Sequence, residues 1–421
     1  MSAPRPLRIL LYTPVVPTET GGVQAVYRRT ADALAARGHA VVRAWPIEDP
    51  DLPADARCGP GAGGGPWPRP GGVRTLRLPR LEDRRLPLGG FRPTPGGLRA
   101  ALDPLRRLAG VLVGFRPDVA DVHFPRGGTR WLARARRCPG LRPHALVLTC
   151  HGSDLLRPLP ADARRLAGLL AAADRVIAVS ADLAAKAEAY RMTAAFHPPG
   201  SAGTTPAVDC IENGVDLGFW ARPSGGSGGG SPPEPRHAVS VGRLERVKGH
   251  DVLLHAFARV VRAFPDARLT LVGDGPEEAA LRALAAGLDL TGAVAFAGRL
   301  PPEATRSALH RAGVFALPSR SEGLPLALLE AMAAGLAPVA SAVGGVPAAI
   351  GDPPAGLIVP PEDAAALADR LAALFGDEPE RARLAAAAAD RSASHSAAAS
   401  DRRHAEVLEE AAEAGRGRRG G

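Results

Sequence analysis

The sequence predicts an α/β protein made of two doubly wound parallel sheets, one in each half of the chain. Three observations carry that prediction. At 421 residues and 43.4 kDa the chain exceeds what one hydrophobic core usually serves. Short strand-like apolar runs alternate with longer stretches of helical spacing in both halves, the pattern of parallel strands joined by crossover helices. Between the halves, residues 224–235 read SGGSGGGSPPEP, flexible Gly/Ser followed by stiffer prolines, which marks a linker.

In order along the chain, 7–13 (LRILLYT) reads as a first strand, and Val23, Val26, Tyr27, Thr30, Ala33 and Leu34 give helical spacing over 23–37. Gly38-His39 closes that helix, 39–45 forms a second strand, and further strands fall near 119–124, 145–150 and 175–180. The Gly/Pro stretches 58–72 and 198–206 read as surface loops. After the linker the alternation restarts: strands 238–242, 268–272, 293–297, 314–317 and 337–341, helices 249–263, 276–286, 302–311 and 325–334. An Ala-rich helical part covers 362–413. The expected division is therefore a first domain over 1–222, a linker over 223–236, a second domain over 237–414, and a disordered basic tail over 415–421.

Composition limits the functions open to this chain. Apolar residues make up 46% and charged residues 23%, so the 49 Gly and 42 Pro must be concentrated in loops of a globular protein. Cys58, Cys138, Cys150 and Cys210 stand far apart without a Cys-x-x-Cys pair, which suits neither a disulfide framework nor a zinc site and points to a reducing, cytoplasmic setting. The apolar run after Arg5 and Arg8 is too short for a signal-peptide core, and the least charged stretch, 324–350, holds Glu330, prolines and glycines, so no transmembrane segment is expected. The net charge of +9 is unevenly placed: residues 1–222 carry 31 basic against 19 acidic side chains, and 223–421 carry 21 against 24. Aromatics at 4% offer few stacking platforms, and no nucleic-acid-binding motif accompanies the charge, which argues against nucleic acid as a partner.

In open parallel sheets ligands bind beyond the carboxyl ends of the strands. There the second half carries Gly242-Arg243-Leu244-Glu245-Arg246-Val247-Lys248-Gly249, where a strand ends and a helix begins between two cations. Backbone amides and the helix N-terminus favour an anion, and Arg243 with Lys248 could clamp a diphosphate; the alternative is two ordinary surface cations. Only Lys186 and Lys248 among the 52 basic residues are lysine, so a retained lysine suggests that a compact point charge is wanted at 248. The next loop is Ser319-Arg320-Ser321-Glu322-Gly323-Leu324-Pro325. With Pro325 at the first helical position, Glu322 stands outside the helix mouth and Glu330 about two turns in, about 12 Å away along the axis. Two carboxylates so placed cannot share a proton and suit opposite ends of one long ligand. Glu330 is surrounded by apolar residues and needs a partner; the alternative is a solvated helical charge. In the first half, Gly21-Gly22 offers amides to an anion, and His151-Gly152-Ser153-Asp154 follows a strand, which puts His151 at a ligand-facing edge or leaves it a satisfied structural residue. Asn213 lies in Glu212-Asn213-Gly214-Val215-Asp216, a turn signal.

This constellation resembles retaining glycosyltransferase family 4, the group 1 glycosyl transferases of GT-B fold. The resemblance rests on the glycine pair, His151-Gly152, Asn213-Gly214-Val215-Asp216, Gly242-Arg243-Leu244 with Lys248-Gly249, Val272-Gly273-Asp274-Gly275, the Glu322/Glu330 pair, Gly344-Gly345-Val346-Pro347 and Gly356-Leu357. It implies two Rossmann-like domains facing each other across a cleft, with a nucleotide-sugar donor held mainly by the second and an acceptor mainly by the first. Carried over residue by residue, it implies that Arg243 and Lys248 hold the diphosphate, Glu330 the ribose hydroxyls, and Glu322 with the amides of Gly323 and Leu324 the sugar and phosphate. Arg299 and Leu300 are implied beside the base, His151 at the transferred sugar, and Gly22 against the phosphate. Leaving-group stabilisation by cations and helix-terminal amides is then the main catalytic contribution, and no metal or other cofactor is required; Asp49-Pro-Asp51 is discounted as a metal motif. The sequence departs from the family's pattern at Ala348, where many members carry an acid, and at Glu212, where proline is common.

The expected donor is UDP-N-acetylglucosamine, with UDP-glucose or GDP-mannose as alternatives. The expected acceptor is a soluble natural product such as an aminoglycoside intermediate. The alternative is a phosphorylated or lipid-linked envelope glycan, reached by peripheral contact of the basic first domain, although the Arg/Leu/Pro stretch 74–107 shows no sustained amphipathic helix. A monomer or homodimer is expected. A dehydrogenase would want Gly-x-Gly-x-x-Gly after the first strand, and a pyridoxal-phosphate phosphorylase a Schiff-base lysine. A nucleotide-sugar epimerase or a non-catalytic sugar-nucleotide binder remains as a rival that keeps the donor site.

Overall fold

The computed structural model describes residues 5–13, 22–47, 67–79, 108–125, 129–136, 138, 144–156, 160–193, 207–222 and 232–417. Gly21, the Asp49-Pro-Asp51 motif, most of the 58–72 loop, residues 80–107, the 198–206 loop, the Gly/Ser part of the linker and residues 418–421 lie outside them. The chain forms two compact units. One comprises residues up to Ile211 together with those from Asp401 onward, and the other Glu212–Ser400.

The first unit holds seven parallel strands: β1 Arg8–Tyr12, β2 Ala40–Ile47, β3 Val73–Pro79, β4 Val119–His123, β5 Ala145–Cys150, β6 Arg175–Ala178 and β7 Val208–Cys210, in the order β3-β2-β1-β4-β5-β6-β7. The second holds β8 Glu234–Val241, β9 Arg268–Val272, β10 Val294–Gly298, β11 Ala312–Leu317, β12 Ala337–Ser341 and β13 Leu357–Val359, in the order β10-β9-β8-β11-β12-β13. Both sheets reverse direction of strand order beside their first strand, the arrangement of the doubly wound Rossmann-like fold. Sequence explains the strands directly. Covered on both faces, β1, β5 and β11 read RILLY, ALVLTC and AGVFAL, nearly continuous apolar runs. The helices between them bury one stripe each; His250–Ala263, for example, places Leu253, Leu254, Phe257 and Val260 in the core.

Four expectations are corrected. The linker does not extend to residue 236, because Glu234 already pairs with Ala312 and β8 runs from there. The unit boundary falls after Ile211, because Asn213, Val215 and Trp220 bond to Leu324, His395 and His310 of the second unit. Nor does the second unit extend to 414. The last helix, Ala397–Gly417, returns to the first unit from Asp401 onward, where Ala405, Val407, Leu408, Ala411 and Ala412 pack with Leu7, Ile9, Tyr27, Val119 and Val147. It also takes in 415–417, expected to be disordered; apolar burial upstream carries the helix into those residues. Strands β3, β7 and β13 were not anticipated: β7 and β13 are three residues long and β3 carries two arginines and a proline. No helix among the described residues is long and apolar enough to cross a membrane.

Candidate functional site

In the second unit, loops at the carboxyl ends of β8, β9, β10, β11 and β12 are tied into one rim by backbone hydrogen bonds. Gly242 donates to Val272, Leu244 to Asp274, Gly273 to Gly298, Arg320 to Val247 and Gly345 to Gly323. Two glycines make the rim possible. Gly249 (φ +68°) turns the chain from the short 3-10 segment Arg246–Lys248 into the helix His250–Ala263 with its Cα against the Pro318 carbonyl. Gly344 (φ +51°) lies equally tight against the Glu322 carbonyl. Any side chain there would meet backbone in a left-handed conformation that disfavours it.

This rim brings Lys248 and Glu322 together. The ammonium Nζ donates to Glu322 Oε1 at 2.7 Å, and Ser319 Oγ donates to the same oxygen at 2.7 Å. Glu322 is 9% exposed, so its charge is compensated by two donors on one oxygen while Oε2 has no partner among the described residues. The Lys248 stem lies over Gly242, within 4 Å of where a side chain would begin. Gly323 and Leu324 are buried just ahead of the helix Leu326–Ala333, and neither amide donates to a described acceptor. Asn213 is buried and its Nδ2 donates to the Leu324 carbonyl at 2.9 Å, which anchors this turn. Its sequence context suggested a turn; its side chain fastens a second one, 111 residues away.

Pro325 is corrected by one position. With ψ 120° it is extended and caps the helix, which begins at Leu326. Glu330 is thus the fifth helical residue, just over one turn in, and its distance from Glu322 is not a helical rise. Among the described residues no side chain hydrogen-bonds or pairs with Glu330. Its helix buries Leu328, Leu329, Ala331 and Met332 around it, and burial pushes its carboxyl up to about 7.

Arg243 and Arg299 stand apart from that pair. Arg243 is 66% exposed and bonds Glu245 at 2.9 Å, and Arg299, with Leu300 after it, pairs with Asp274 at 3.1 Å. A residue the motifs did not single out holds the rim: Arg320 donates twice to Asp251 at 2.8 Å, to Glu362 at 2.6 Å and to the Arg246 carbonyl at 2.6 Å. Those bonds hold the Asp251 carboxyl below its usual range. Its place in the Ser-Arg-Ser-Glu-Gly loop was visible; its partners at 251 and 362 were not.

In the first unit, Gly22 is the first residue of the helix Gly22–Ala36 and is exposed. His151 follows β5 and is 8% exposed, with its turn held by Asp154, which accepts from the Gly152 amide at 2.7 Å and the His151 amide at 3.3 Å. Behind His151 lies a cluster that sequence reading missed: His123, Asp121, Thr149 and His404. Alternation on β4 puts Asp121 and His123 on one face, and the register sets His123 against Thr149 on β5. Polar residues in strands buried on both faces are the signal that could have found them. Atoms of Asp121, His123 and His404 lie within 4.8 Å of one another, near enough to meet at one ion, yet they are spent on hydrogen bonds within the cluster.

Two doubly wound units, the second with a Lys/Glu rim at the carboxyl ends of its strands, define a two-domain α/β protein with a charged rim where such folds bind ligands. The family model for Glycosyl transferases group 1 matches residues 228–391, and that for Glycosyltransferase Family 4 matches 20–197. A D-inositol 3-phosphate glycosyltransferase of Segniliparus rotundus is 30% identical over 350 residues, covering 77% of this chain and 70% of its own. One from Frankia alni is 33% identical over 316 residues, 69% of this chain and 73% of its own. A phosphatidyl-myo-inositol mannosyltransferase of Mycolicibacterium smegmatis is 34% identical over 183 residues, 43% of this chain and 46% of its own. In fold, the sucrose-phosphate synthase of Thermosynechococcus elongatus aligns with TM-score 0.71 at 22% identity over 96% of this chain and 98% of its own, and Anabaena HepE, solved with UDP and glucose, with 0.69 at 18% over 96% and 100%. The chain belongs to family 4 of the GT-B glycosyltransferases and is an enzyme that transfers a sugar.

Proposed function

We propose that this enzyme moves a hexosyl group from a nucleoside-diphosphate sugar, with retention of configuration and without a metal, onto a hydroxyl of a phosphorylated polyol of the inositol phosphate class. The observation that carries the donor half is the contact of Lys248 with Glu322, beside two amides and a Glu330 that have no partner among the described residues. Lys248 and the amides of Gly323 and Leu324 stabilise the negative charge that develops on the departing diphosphate. Glu322, oriented by Lys248 and Ser319, keeps Oε2 for a sugar hydroxyl, and Glu330 takes the ribose hydroxyls. Arg243 and Arg299 close on the diphosphate and the base by exchanging Glu245 and Asp274 for ligand. His151 meets the transferred sugar, and Gly22 the phosphate. The family resemblance supports front-face attack, with the leaving phosphate taking the acceptor's proton.

The acceptor half changes from the natural-product expectation. The relatives named above are called inositol phosphate or phosphatidylinositol enzymes, none an antibiotic enzyme, and the excess positive charge of residues 1–222 suits a phosphorylated acceptor. UDP-N-acetylglucosamine remains the first donor to test and GDP-mannose the second, because one relative's name states GDP-mannose dependence. Phosphatidylinositol is the second acceptor reading, supported by the mannosyltransferase relative.

The test crosses UDP-N-acetylglucosamine, UDP-glucose and GDP-mannose with D-inositol 3-phosphate, free inositol, phosphatidylinositol vesicles and an aminoglycoside, and weighs the products by mass spectrometry. Transfer to inositol phosphate above free inositol is expected. Product only on vesicles moves the acceptor to the lipid, product only on the aminoglycoside restores the natural-product reading, and an unchanged donor pool throughout overturns the donor assignment.

A further inference from the structure

Asp121 and His123 are fully buried, and every hydrogen-bonding atom of the Asp121 carboxylate is accounted for. Thr149 Oγ donates to Oδ1 at 2.8 Å, while His123 Nε2 at 3.2 Å and His404 Nε2 at 2.7 Å both face Oδ2. Beyond Asp121, His123 Nδ1 lies 2.9 Å from His151 Nε2, and the two rings stack at 5.1 Å. At the far end of this series His151 Nδ1 is buried and has no partner among the described residues.

Polarity runs one way through these contacts. A carboxylate ion only accepts, so both imidazoles present an N–H to Oδ2. Burial by itself raises the Asp121 carboxyl, but His123 and His404 outweigh it and hold the group far below its usual range, so it is ionised. Where His123 carries a single proton, the one it presents to Asp121 from Nε2, its Nδ1 has only a lone pair and His151 donates Nε2–H to it. Burial keeps His151 neutral. With its one proton on Nε2, its Nδ1 carries a lone pair.

We propose that Asp121, His123 and His404 are positioning residues that lock His151 in the Nε2-protonated tautomer, so that Nδ1 is offered as a hydrogen-bond acceptor to a hydroxyl of the bound substrate. That last clause rests on the substrate role given to His151 above; the tautomer does not. His404 arrives on the last helix, 283 residues from Asp121 in sequence. The C-terminal helix thus serves the site as well as the core, since its His404 supplies the second donor that holds Asp121 ionised.

The test uses the full chain with 15N-labelled histidine, whose two-bond proton–nitrogen spectra report the proton position on each ring. Expected is His151 protonated at Nε2 alone, unchanged by a chelator. Asp121→Asn keeps the shape and reverses the polarity: its carbonyl still accepts from Thr149, and its amide donates to both imidazoles. His123 must then carry its proton on Nδ1 and His151 must move its own to Nδ1. Turnover falls on the order of a hundredfold or more, the scale on which a reversed imidazole tautomer lowers catalysis, while nucleotide affinity is retained. His404→Gln, which keeps an N–H for Asp121, retains more turnover than His404→Ala, and this pair carries the test should Asp121→Asn not fold. A wild-type His151 protonated at Nδ1, or a spectrum that changes on chelation and so assigns the cluster to a cation, overturns the proposal. An inverted tautomer with unchanged turnover leaves the relay standing and overturns the substrate role of His151 instead.

Discussion

The rim of the second unit and the histidine cluster of the first are built on opposite principles. On the rim, cations stand on loops and remain reachable: Lys248 is 26% exposed, Arg243 66% and Arg299 44%, and Arg243 and Arg299 pair with part-exposed carboxylates that the proposed donor would replace. In the cluster, Asp121 and His123 are sealed, and on the proposed tautomers every contact runs one way. A group that grips and releases a charged leaving group has to trade partners, so surface pairs of low net worth suit it. A group whose only task is to set a proton's position gains from burial, where a reversed hydrogen bond has no solvent to repair it. One enzyme therefore carries an exchangeable charge site and a fixed polar one, and substitutions should act differently on them.

The contrast breaks most visibly at Lys248. Lys248→Ala removes the rim's compact charge and is expected to lower turnover by about 10²–10³-fold, the scale of one lost donor to a developing anion; nucleotide release from the donor, with the melting temperature as a check on folding, measures it. A loss below tenfold would place the chemistry elsewhere. Glu330 comes next, through pH. Because its folded pKa of about 7 lies above the ordinary 4.5, its contribution to stability is fully present below the unfolded value and is lost as pH rises through about 7. Wild type should therefore lose melting temperature relative to Glu330→Gln between those values. Nucleotide affinity, which on the proposed ribose contact uses the ionised acid, should rise over the same interval in wild type and stay flat in the variant.

Arg320→Ala sharpens the comparison from the side of architecture. It removes the ties to Asp251, Glu362 and the Arg246 carbonyl, and is expected to cost about 1–3 kcal/mol of stability, read by urea denaturation, with KM for the donor raised more than kcat is lowered. The smallest effect belongs to Arg243→Ala. An exposed pair with Glu245 contributes within about 0.5 kcal/mol to folding, so the melting temperature should hold while turnover falls less than for Lys248→Ala; a large stability loss would mean that the rim is as rigid as the cluster.

The second unit was far more legible in advance than the first. Its Arg/Lys and paired-Glu loops each lie within eight or nine consecutive residues, so spacing alone placed them at strand ends, and Lys248 could be singled out as one of two lysines. The contact between Lys248 and Glu322 was not legible, since it crosses 74 residues and depends on which strands are neighbours. Pro325 misled by one position because proline suits both a cap and a first helical residue. In the first unit His151 was visible at a strand end, but Asp121 and His123 looked like parts of a strand and His404 like a charge on a long helix. The domain boundary was misjudged for a related reason: low-complexity Gly/Ser marks where a chain can bend, not which side chains pack on either side of it.

Taken alone, the sequence determined two doubly wound sheets, the strand-end loops that carry charge, and the family, because apolar periodicity and turn residues are local and act within a few positions. Tertiary structure decided that the last helix returns to the first unit, that Arg320 ties three segments together, and that Asp121, His123, His151 and His404 form a single line of hydrogen bonds. Those depend on strand register and helix docking, which bring residues hundreds of positions apart to within 3 Å and leave no trace in any short window of the chain.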